Sequence, residues 1–323
     1  MSNSDQLEMM ERIALDLEGV ERALASSFNT GSEDFNELIR PLSEAGGKRL
    51  RAQLCLLIAN AGTSVKTERI KIAEAVEMLH LATLIHDDVL DQAEIRRGED
   101  TIHKHKGNKV AILSGDYLFA KAFRIVSEMP HMEYLKIFSH IITCLVEGEF
   151  MQMEDVYRID QGIDRYMIKT QKKTADFMEG CMELGGLLGH WSSEEIIHLK
   201  RYGHALGMAF QITDDIMDYR ETSDTTGKPV GNDLREGLLT YPLLSIVNEQ
   251  NQNQLLQDIK NLNDGGNEQD IINYVIAQGG IDNTLRVAQQ YCDDALAALQ
   301  AIRDFDGKEF LVLAVQNLAD RKV

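Results

Sequence analysis

Two acidic pentapeptides carry the densest potential for chemistry in this chain: Asp87-Asp88-Val89-Leu90-Asp91 and Asp214-Asp215-Ile216-Met217-Asp218. Each closes an apolar stretch with helical spacing. At about 100° per residue, Asp87 and Asp91 share one helix face a turn apart, and His80 lies only about 20° off the same line. His80, Asp87 and Asp91 thus form a polar stripe on an otherwise apolar helix. The second copy repeats the pattern, with Asp214 and Asp218 at i, i+4, Asp215 beside them and Gln211 about one turn earlier. A buried row of carboxylates is unfavourable unless cations compensate it. One such pentapeptide is as readily a solvated helix end as a site. Two copies, each on an apolar helix, point to a metal centre. Oxygen-only donors favour Mg²⁺ or Ca²⁺ over zinc, and Mg²⁺ is commonly held by one or two carboxylates together with substrate phosphates.

Cations cluster near these motifs in a chain that is otherwise acidic. Gly46-Gly47-Lys48-Arg49-Leu50-Arg51 places Lys48 and Arg51 about a turn apart, and Arg96-Arg97 follows Asp91 closely. Lys169 and Lys172-Lys173-Thr174 form a third group, and Gly227-Lys228-Pro229 follows Asp218. Any one cluster could be a solvated face. Taken together they suggest that carboxylates hold metal, metal holds diphosphate, and Lys and Arg neutralise the outer oxygens. Electrostatic stabilisation of a leaving diphosphate is the chemistry indicated. No P-loop or sequence-local Ser-His-Asp pattern competes.

These residues need rigid helices to position them, and the composition supplies helices. Only four prolines (Pro41, Pro130, Pro229, Pro242) interrupt 323 residues, which permits long helices. Leu7, Met10, Ile13, Leu17 and Val20 recur at helical steps, as do Ile72, Val76, Leu79 and Thr83, and Ala295, Leu296 and Leu299. Glycine clusters at 46–47, 227–237, 265–266 and 279–280 mark the breaks. No linker or repeat is visible, so the expectation is one all-α domain over residues 1–323 with ten or more helices. A net charge of −19 disfavours nonspecific binding to nucleic acid or anionic membrane. Four scattered cysteines without a CxxC pair suit neither a disulfide framework nor a zinc site and fit a reducing cytoplasm. No signal peptide or membrane-spanning run is expected.

The motifs resemble those of the trans-polyprenyl diphosphate synthases, the polyprenyl synthetase family, from about residue 40 onward. The resemblance rests on GGKRLR at 46–51, HLATLIHDDVLDQAEIRRG at 80–98, GDYLFAKAF at 115–123, GEFMQ at 148–152, KTA at 173–175, GMAFQITDDIMD at 207–218 and GKPVGNDLREG at 227–237. It implies a large single-domain helical bundle around a deep central cavity, of the isoprenoid synthase type, usually homodimeric. It also implies that Mg²⁺ bound by Asp87, Asp91 and Asp214, with Asp88, Asp215 and Asp218 supporting, helps an allylic diphosphate ionise. The double bond of isopentenyl diphosphate then attacks the allylic cation, and a proton is lost to the departing diphosphate. Lys48, Arg51, His80 and Arg97 would hold isopentenyl diphosphate. Arg96, Lys173, Thr174, Gln211 and Lys228 would hold the allylic diphosphate, with Thr174 and Gln211 also stabilising charge near the ionising carbon. Two positions depart from the pattern: Ala52 stands where proline is common, and Leu238 where lysine is common.

In the family, bulky aromatics just before the first aspartate motif stop chain growth early. Here those positions are Ala82 and Thr83, both small, which favours an open tunnel walled by Leu79, Ala82 and Thr83. Val76, Phe138, Ile142 and Leu145 are candidates for its floor. The segments around Thr240-Tyr241-Pro242 and QITDDIMD resemble catalytic subunits that make heptaprenyl diphosphate for menaquinone, some of which need a small accessory subunit. The expected product is therefore heptaprenyl diphosphate grown on farnesyl diphosphate; geranylgeranyl, octaprenyl and nonaprenyl products are the alternatives. A metal-dependent phosphohydrolase using His80 and His86-Asp87, a terpene cyclase and a non-catalytic partner subunit are more remote readings. The hydrolase leaves the second pentapeptide idle, the cyclase normally carries a different second motif, and a degenerate subunit would have lost aspartates.

Overall fold

The computed structural model describes residues 3–28, 32–44, 49–96, 98–220 and 231–319. Its helices are α1 (Asn3–Ser27), α2 (Glu33–Glu44), α3 (Leu50–Asn60), α4 (Lys66–Leu90), α5 (Ile102–Lys106), α6 (Asn108–Ser127), α7 (Met132–Glu154), α8 (Gly162–Thr170), α9 (Asp176–Leu188) and α10 (Ser193–Arg220). After these come α11 (Asn232–Arg235), α12 (Tyr241–Leu244), α13 (Gln252–Asn261), α14 (Glu268–Ala277), α15 (Gly280–Gln300) and α16 (Lys308–Ala319). The all-α expectation holds. Among the described residues the one sheet is a minimal antiparallel pair, β1 (Ile95–Arg96) and β2 (Glu99–Asp100), with Ile95 opposite Asp100 and Arg96 opposite Glu99. Long helices form where proline is absent: α4, α7 and α10 run 25, 23 and 28 residues. Gly265 and Gly279 take positive φ at the breaks after α13 and α14, a conformation that suits glycine. No helix among the described residues is long and apolar enough to cross a membrane.

By its contacts the chain divides into two compact units, each discontinuous in sequence. The first comprises Met1–Ser139, Gly180–Ile197 and Asp304–Gly307, and the second His140–Glu179, His198–Arg303 and Lys308–Val323.

In the first unit α4 packs most extensively on α6, then on α3 and α1. Every residue from Ile72 to Leu79 is buried, the mark of a helix enclosed on all sides rather than an amphipathic surface helix. The buried row of α1 is Met9, Ile13, Asp16, Val20 and Leu24, whereas Leu7 and Met10 are exposed. The expected face, which began at Leu7 and Met10, is therefore displaced. The reason is Asp16, which an apolar count passes over. Arg69 Nε lies 2.6 Å from its Oδ2 and Arg69 Nη2 3.3 Å from its Oδ1, and Asn60 donates to it at 2.8 Å. A second buried network surrounds Arg49, which opens α3 in the left-handed region at φ 43°. Its guanidinium bonds Glu21 on α1 at 2.8 Å and Glu77 on α4 at 3.4 Å. Burial raises the Glu77 carboxyl above its ordinary value; Arg49 and the Ala52 N–H oppose the shift. That N–H donates to Glu77 at 3.3 Å, a bond that proline at this position could not make.

The second unit has a core of Tyr166, Ile216, Tyr219, Leu234, Leu239, Tyr241 and Leu243, extended by the helices that follow. It packs Ile216 and Tyr219 at the end of α10 against Leu234 and Leu239 near the second acidic motif.

Candidate active site

The first acidic motif occupies the last turn of α4. Asp87 is half-buried, Asp91 is exposed at the helix C-cap, and its N–H bonds the Asp87 carbonyl at 2.8 Å. Asp88 points elsewhere: it is buried and bound to Arg96 Nε at 2.6 Å. Strand β1 thus fixes Arg96 against the helix that carries the motif, with other guanidinium donors remaining for a ligand. His80, two turns earlier, is half-buried, and Arg51 Nη1 of α3 approaches its Nε2 at 3.5 Å. Two residues expected to share isopentenyl diphosphate are therefore neighbours. Lys48 and Arg97, expected beside them, lie outside the described residues.

A cavity of about 1070 Å³ in this unit is lined in part by Leu81, Leu84, Ile85 and Asp88. These residues fall on one flank of α4, centred about 110° around the helix from Asp87. Leu79 and Ala82 are buried and Thr83 is half-buried, and none of them lines this cavity. The Thr83 hydroxyl donates to the His80 carbonyl at 2.8 Å within its own helix. Of the floor candidates, Val76 and Phe138 are fully buried, whereas Ile142 and Leu145 are half-buried.

The second motif is set in a denser network, all within the second unit. Asp214 is exposed, Asp218 half-buried and Asp215 buried. Asp215 accepts from the Tyr166 hydroxyl at 2.5 Å and from Gln211 Nε2 at 2.9 Å. Gln211 Oε1 in turn accepts from Thr174 Oγ1 at 2.9 Å, so Thr174, Gln211, Asp215 and Tyr166 form one chain. Burial pushes the Asp215 carboxyl up to about 6, opposed by the bonds from Tyr166 and Gln211. Burial likewise lowers the Lys169 ammonium from its ordinary value, with Asp215 and Asp155 acting in the other direction. Asp218 accepts the backbone N–H groups of Asn232 and Asp233 at 3.1 and 3.2 Å. It thereby ties the start of α11 to α10. The half-buried Asp233 carboxyl is held well above its ordinary value by desolvation and by Asp218 and Asp215. Lys228, expected to join this group, lies outside the described residues.

Lys173 and Thr174 sit on a π-helical turn, Gln171–Ala175, between α8 and α9. Such turns are rare and often found at functional sites. Two glycines permit it. A Cβ on Gly148 of α7 would stand 2.8 Å from Lys173 Cγ, and one on Gly207 of α10 only 2.6 Å from Ala175 Cα. The GEFMQ and GMAFQ motifs are thus the two surfaces against which this turn rests. Lys173 Nζ pairs with Glu149 of the former at 2.5 Å.

Sequence reasoning missed Tyr166, Asp233 and Glu149; it placed Lys169 in the cation cluster with Lys172 and Lys173, and Lys169 is buried. Tyr166 had one available signal: TYP at 240–242 supplies Tyr241, whose ring packs edge-on against it at 5.7 Å. Of the two histidines named for the hydrolase alternative, His80 and His86, the second is engaged within the protein. His86 Nε2 lies 3.1 Å from the Ile112 carbonyl and rests against Gly115, where any Cβ would come within 2.1 Å of that nitrogen. The six aspartates offer only oxygen donors, with Asp91 and Asp214 exposed and Asp87 and Asp218 half-buried, and such donors suit a hard divalent cation.

Residues 32–278 match the family described as polyprenyl synthetase. The chain is 33% identical over 315 residues to octaprenyl diphosphate synthase of Escherichia coli K12, covering 95% of this chain and 97% of that one. It is equally 33% identical over 288 residues to heptaprenyl diphosphate synthase component 2 of Geobacillus stearothermophilus, covering 89% and 90%. Its fold is similar to the crystal structure of a polyprenyl synthase from Caulobacter crescentus CB15 complexed with calcium and isoprenyl diphosphate. That match has a TM-score of 0.88 and 31% identity, over 98% of this chain and 97% of the other. With its isoprenoid synthase fold and both aspartate motifs intact, the chain belongs to the polyprenyl synthetase family and is a prenyltransferase.

Proposed function

We propose that this enzyme condenses isopentenyl diphosphate with farnesyl diphosphate, in trans geometry, to heptaprenyl diphosphate for the side chain of menaquinone. The observation that carries the reading is the division of labour within each acidic motif. One aspartate is buried and bound by the protein itself, Asp88 by Arg96 and Asp215 by Tyr166 and Gln211. The outer positions Asp87, Asp91 and Asp214 stay half-buried or exposed, where a cation and its phosphate ligands can reach them. Mg²⁺ held by these three, with Asp88, Asp215 and Asp218 in support, supplies charge neutralisation to the leaving diphosphate.

Arg51 and His80, with Lys48 and Arg97, bind isopentenyl diphosphate. Arg96, Lys173, Thr174, Gln211 and Lys228 grip the allylic diphosphate. Thr174 and Gln211 orient oxygen dipoles toward the carbon that gains positive charge as its C–O bond breaks. The Asp215 and Tyr166 bonds hold Gln211 in the orientation that leaves its carbonyl toward Thr174. Leu238 in place of lysine removes one diphosphate contact and weakens binding there. Chelation is expected to stop turnover, and Mg²⁺ to restore it better than Zn²⁺; a preference for Zn²⁺ in the restored rate would contradict the oxygen-donor site.

Product length rests on Ala82 and Thr83 being small where an aromatic would close the tunnel. Ala82→Phe is expected to shift the product from heptaprenyl to geranylgeranyl or shorter, measured by mass spectrometry of the diphosphates. Ala82 is fully buried, so the same change destabilises the fold by about 1–3 kcal/mol through overpacking. An unchanged product distribution would remove Ala82 from the wall. The equal similarity to the E. coli relative makes octaprenyl diphosphate the second reading.

The two compact units act as one catalytic domain in this reading, since each carries one aspartate motif and α7, α9 and α10 contribute residues to both. Homodimer formation is supported by exposed Val146, Phe150 and Met153 at helical steps on α7 and by Ile112 and Leu113 on α6. The designation of the Geobacillus relative as component 2 supports a small accessory subunit. Four free cysteines, all buried, are consistent with a cytoplasmic setting.

A further inference from the structure

The structure assigns a second metal site, of zinc class, to His140 and Cys144 of α7 and Asp176 of α9. One ligand atom from each lies within 4.8 Å of the other two. Cys144 Sγ is 3.8 Å from His140 Nδ1 and 3.6 Å from Nε2. With Zn–S about 2.3 Å and Zn–N about 2.0–2.1 Å, adjacent ligands of a tetrahedral ion stand about 3.6 Å apart. The His–Cys pair already has the spacing of such an edge. Cys144 and Asp176 are buried and His140 is exposed, which gives a closed side and a path for the ion. Three protein ligands leave the fourth position to water. A thiolate and an imidazole select a borderline transition ion and disfavour Mg²⁺. On binding, the thiol proton leaves to solvent as the S–metal bond forms.

Cysteine spacing pointed away from zinc because the donors are one histidine and one cysteine a helical turn apart, completed by a carboxylate from another helix. Asp176, Glu179 and His204 form an adjoining trio. There Lys200 Nζ stands 3.4 Å from Glu179, whereas Lys172, the ammonium near Cys144 and Asp176, is held by Glu147 at 2.6 Å, and the thiolate donor places a borderline transition ion on the cysteine side. Asp176 is the first residue after the π-helical turn, and Gln171 Nε2 donates to its Oδ1 at 3.2 Å. An ion there ties α7 to the end of the turn that bears Lys173 and Thr174.

Co²⁺ titrated into the full-length chain in excess Mg²⁺ tests this without reading activity. One equivalent is expected to give tetrahedral d–d bands with a thiolate-to-metal charge-transfer band. Cys144→Ser should abolish the charge-transfer band. His140→Ala, at an exposed position, should weaken Co²⁺ binding by more than the about 10–100-fold typical of outer-shell changes. His204→Ala and Asp214→Asn should leave the spectrum unchanged. Octahedral, thiolate-free spectra, a charge-transfer band that survives Cys144→Ser, or one lost with Asp214→Asn would each overturn the assignment.

Discussion

Asp87→Ala and Asp214→Ala each lower kcat by about a thousandfold or more, on the order of 4 kcal/mol of barrier at about 1.4 kcal/mol per tenfold. Circular dichroism and Tm stay close to wild type. Asp214 is exposed and Asp87 half-buried, so neither substitution opens a cavity, and alanine favours the helix. The contrast lies with their neighbours. Asp88→Ala strips Arg96 of its carboxylate partner, and Asp215→Ala takes the carboxylate acceptor from the buried Tyr166 hydroxyl and leaves the Lys169 ammonium to Asp155. Those two lose activity through stability and positioning, with a lowered Tm as the signature. Steady-state kinetics beside thermal melts separates the classes. Turnover retained in Asp87→Ala would refute the metal assignment.

Asp16→Ala destabilises the fold by about 3–5 kcal/mol, although the residue is remote in sequence from every catalytic motif. Asp16 is fully buried in α1, and removing it leaves the Arg69 guanidinium, itself 8% exposed, and the Asn60 amide facing an apolar core. Arg69 is on α4, the helix that ends in Asp87 and Asp91, so the damage reaches the first motif through that helix. The urea midpoint should fall markedly while the double variant Asp16→Leu with Arg69→Met recovers most of the loss, because a well-packed apolar pair can replace a buried ion pair. A single variant within about 1 kcal/mol of wild type would show that solvent reaches Arg69.

The acidic pentapeptides were legible because i, i+4 carboxylates on apolar helices are a local pattern, and the long helices because prolines are few. The buried row of α1 was not. Asp16 counts as polar in any hydrophobic pattern, yet Arg69 and Asn60, contributed by other helices, make its burial favourable. The π-helical turn was invisible for a related reason: its register depends on Gly148 and Gly207 from α7 and α10, whose role is the absence of a side chain. Tyr166 on α8 lies two helices before the motif it supports and Asp233 on α11 one helix after it, and no spacing rule links them to it. His86, a histidine beside an aspartate that the sequence reading set aside as a ligand, has its Nε2 3.1 Å from the Ile112 carbonyl and rests against Gly115.

The most direct test incubates the purified full-length chain with isopentenyl diphosphate, farnesyl diphosphate and Mg²⁺ and sizes the products by mass spectrometry. A ladder of elongated diphosphates ending at the heptaprenyl chain is predicted. A folded, Mg²⁺-supplied protein that leaves farnesyl diphosphate unextended, alone and with a candidate accessory subunit added, would contradict the proposed condensation.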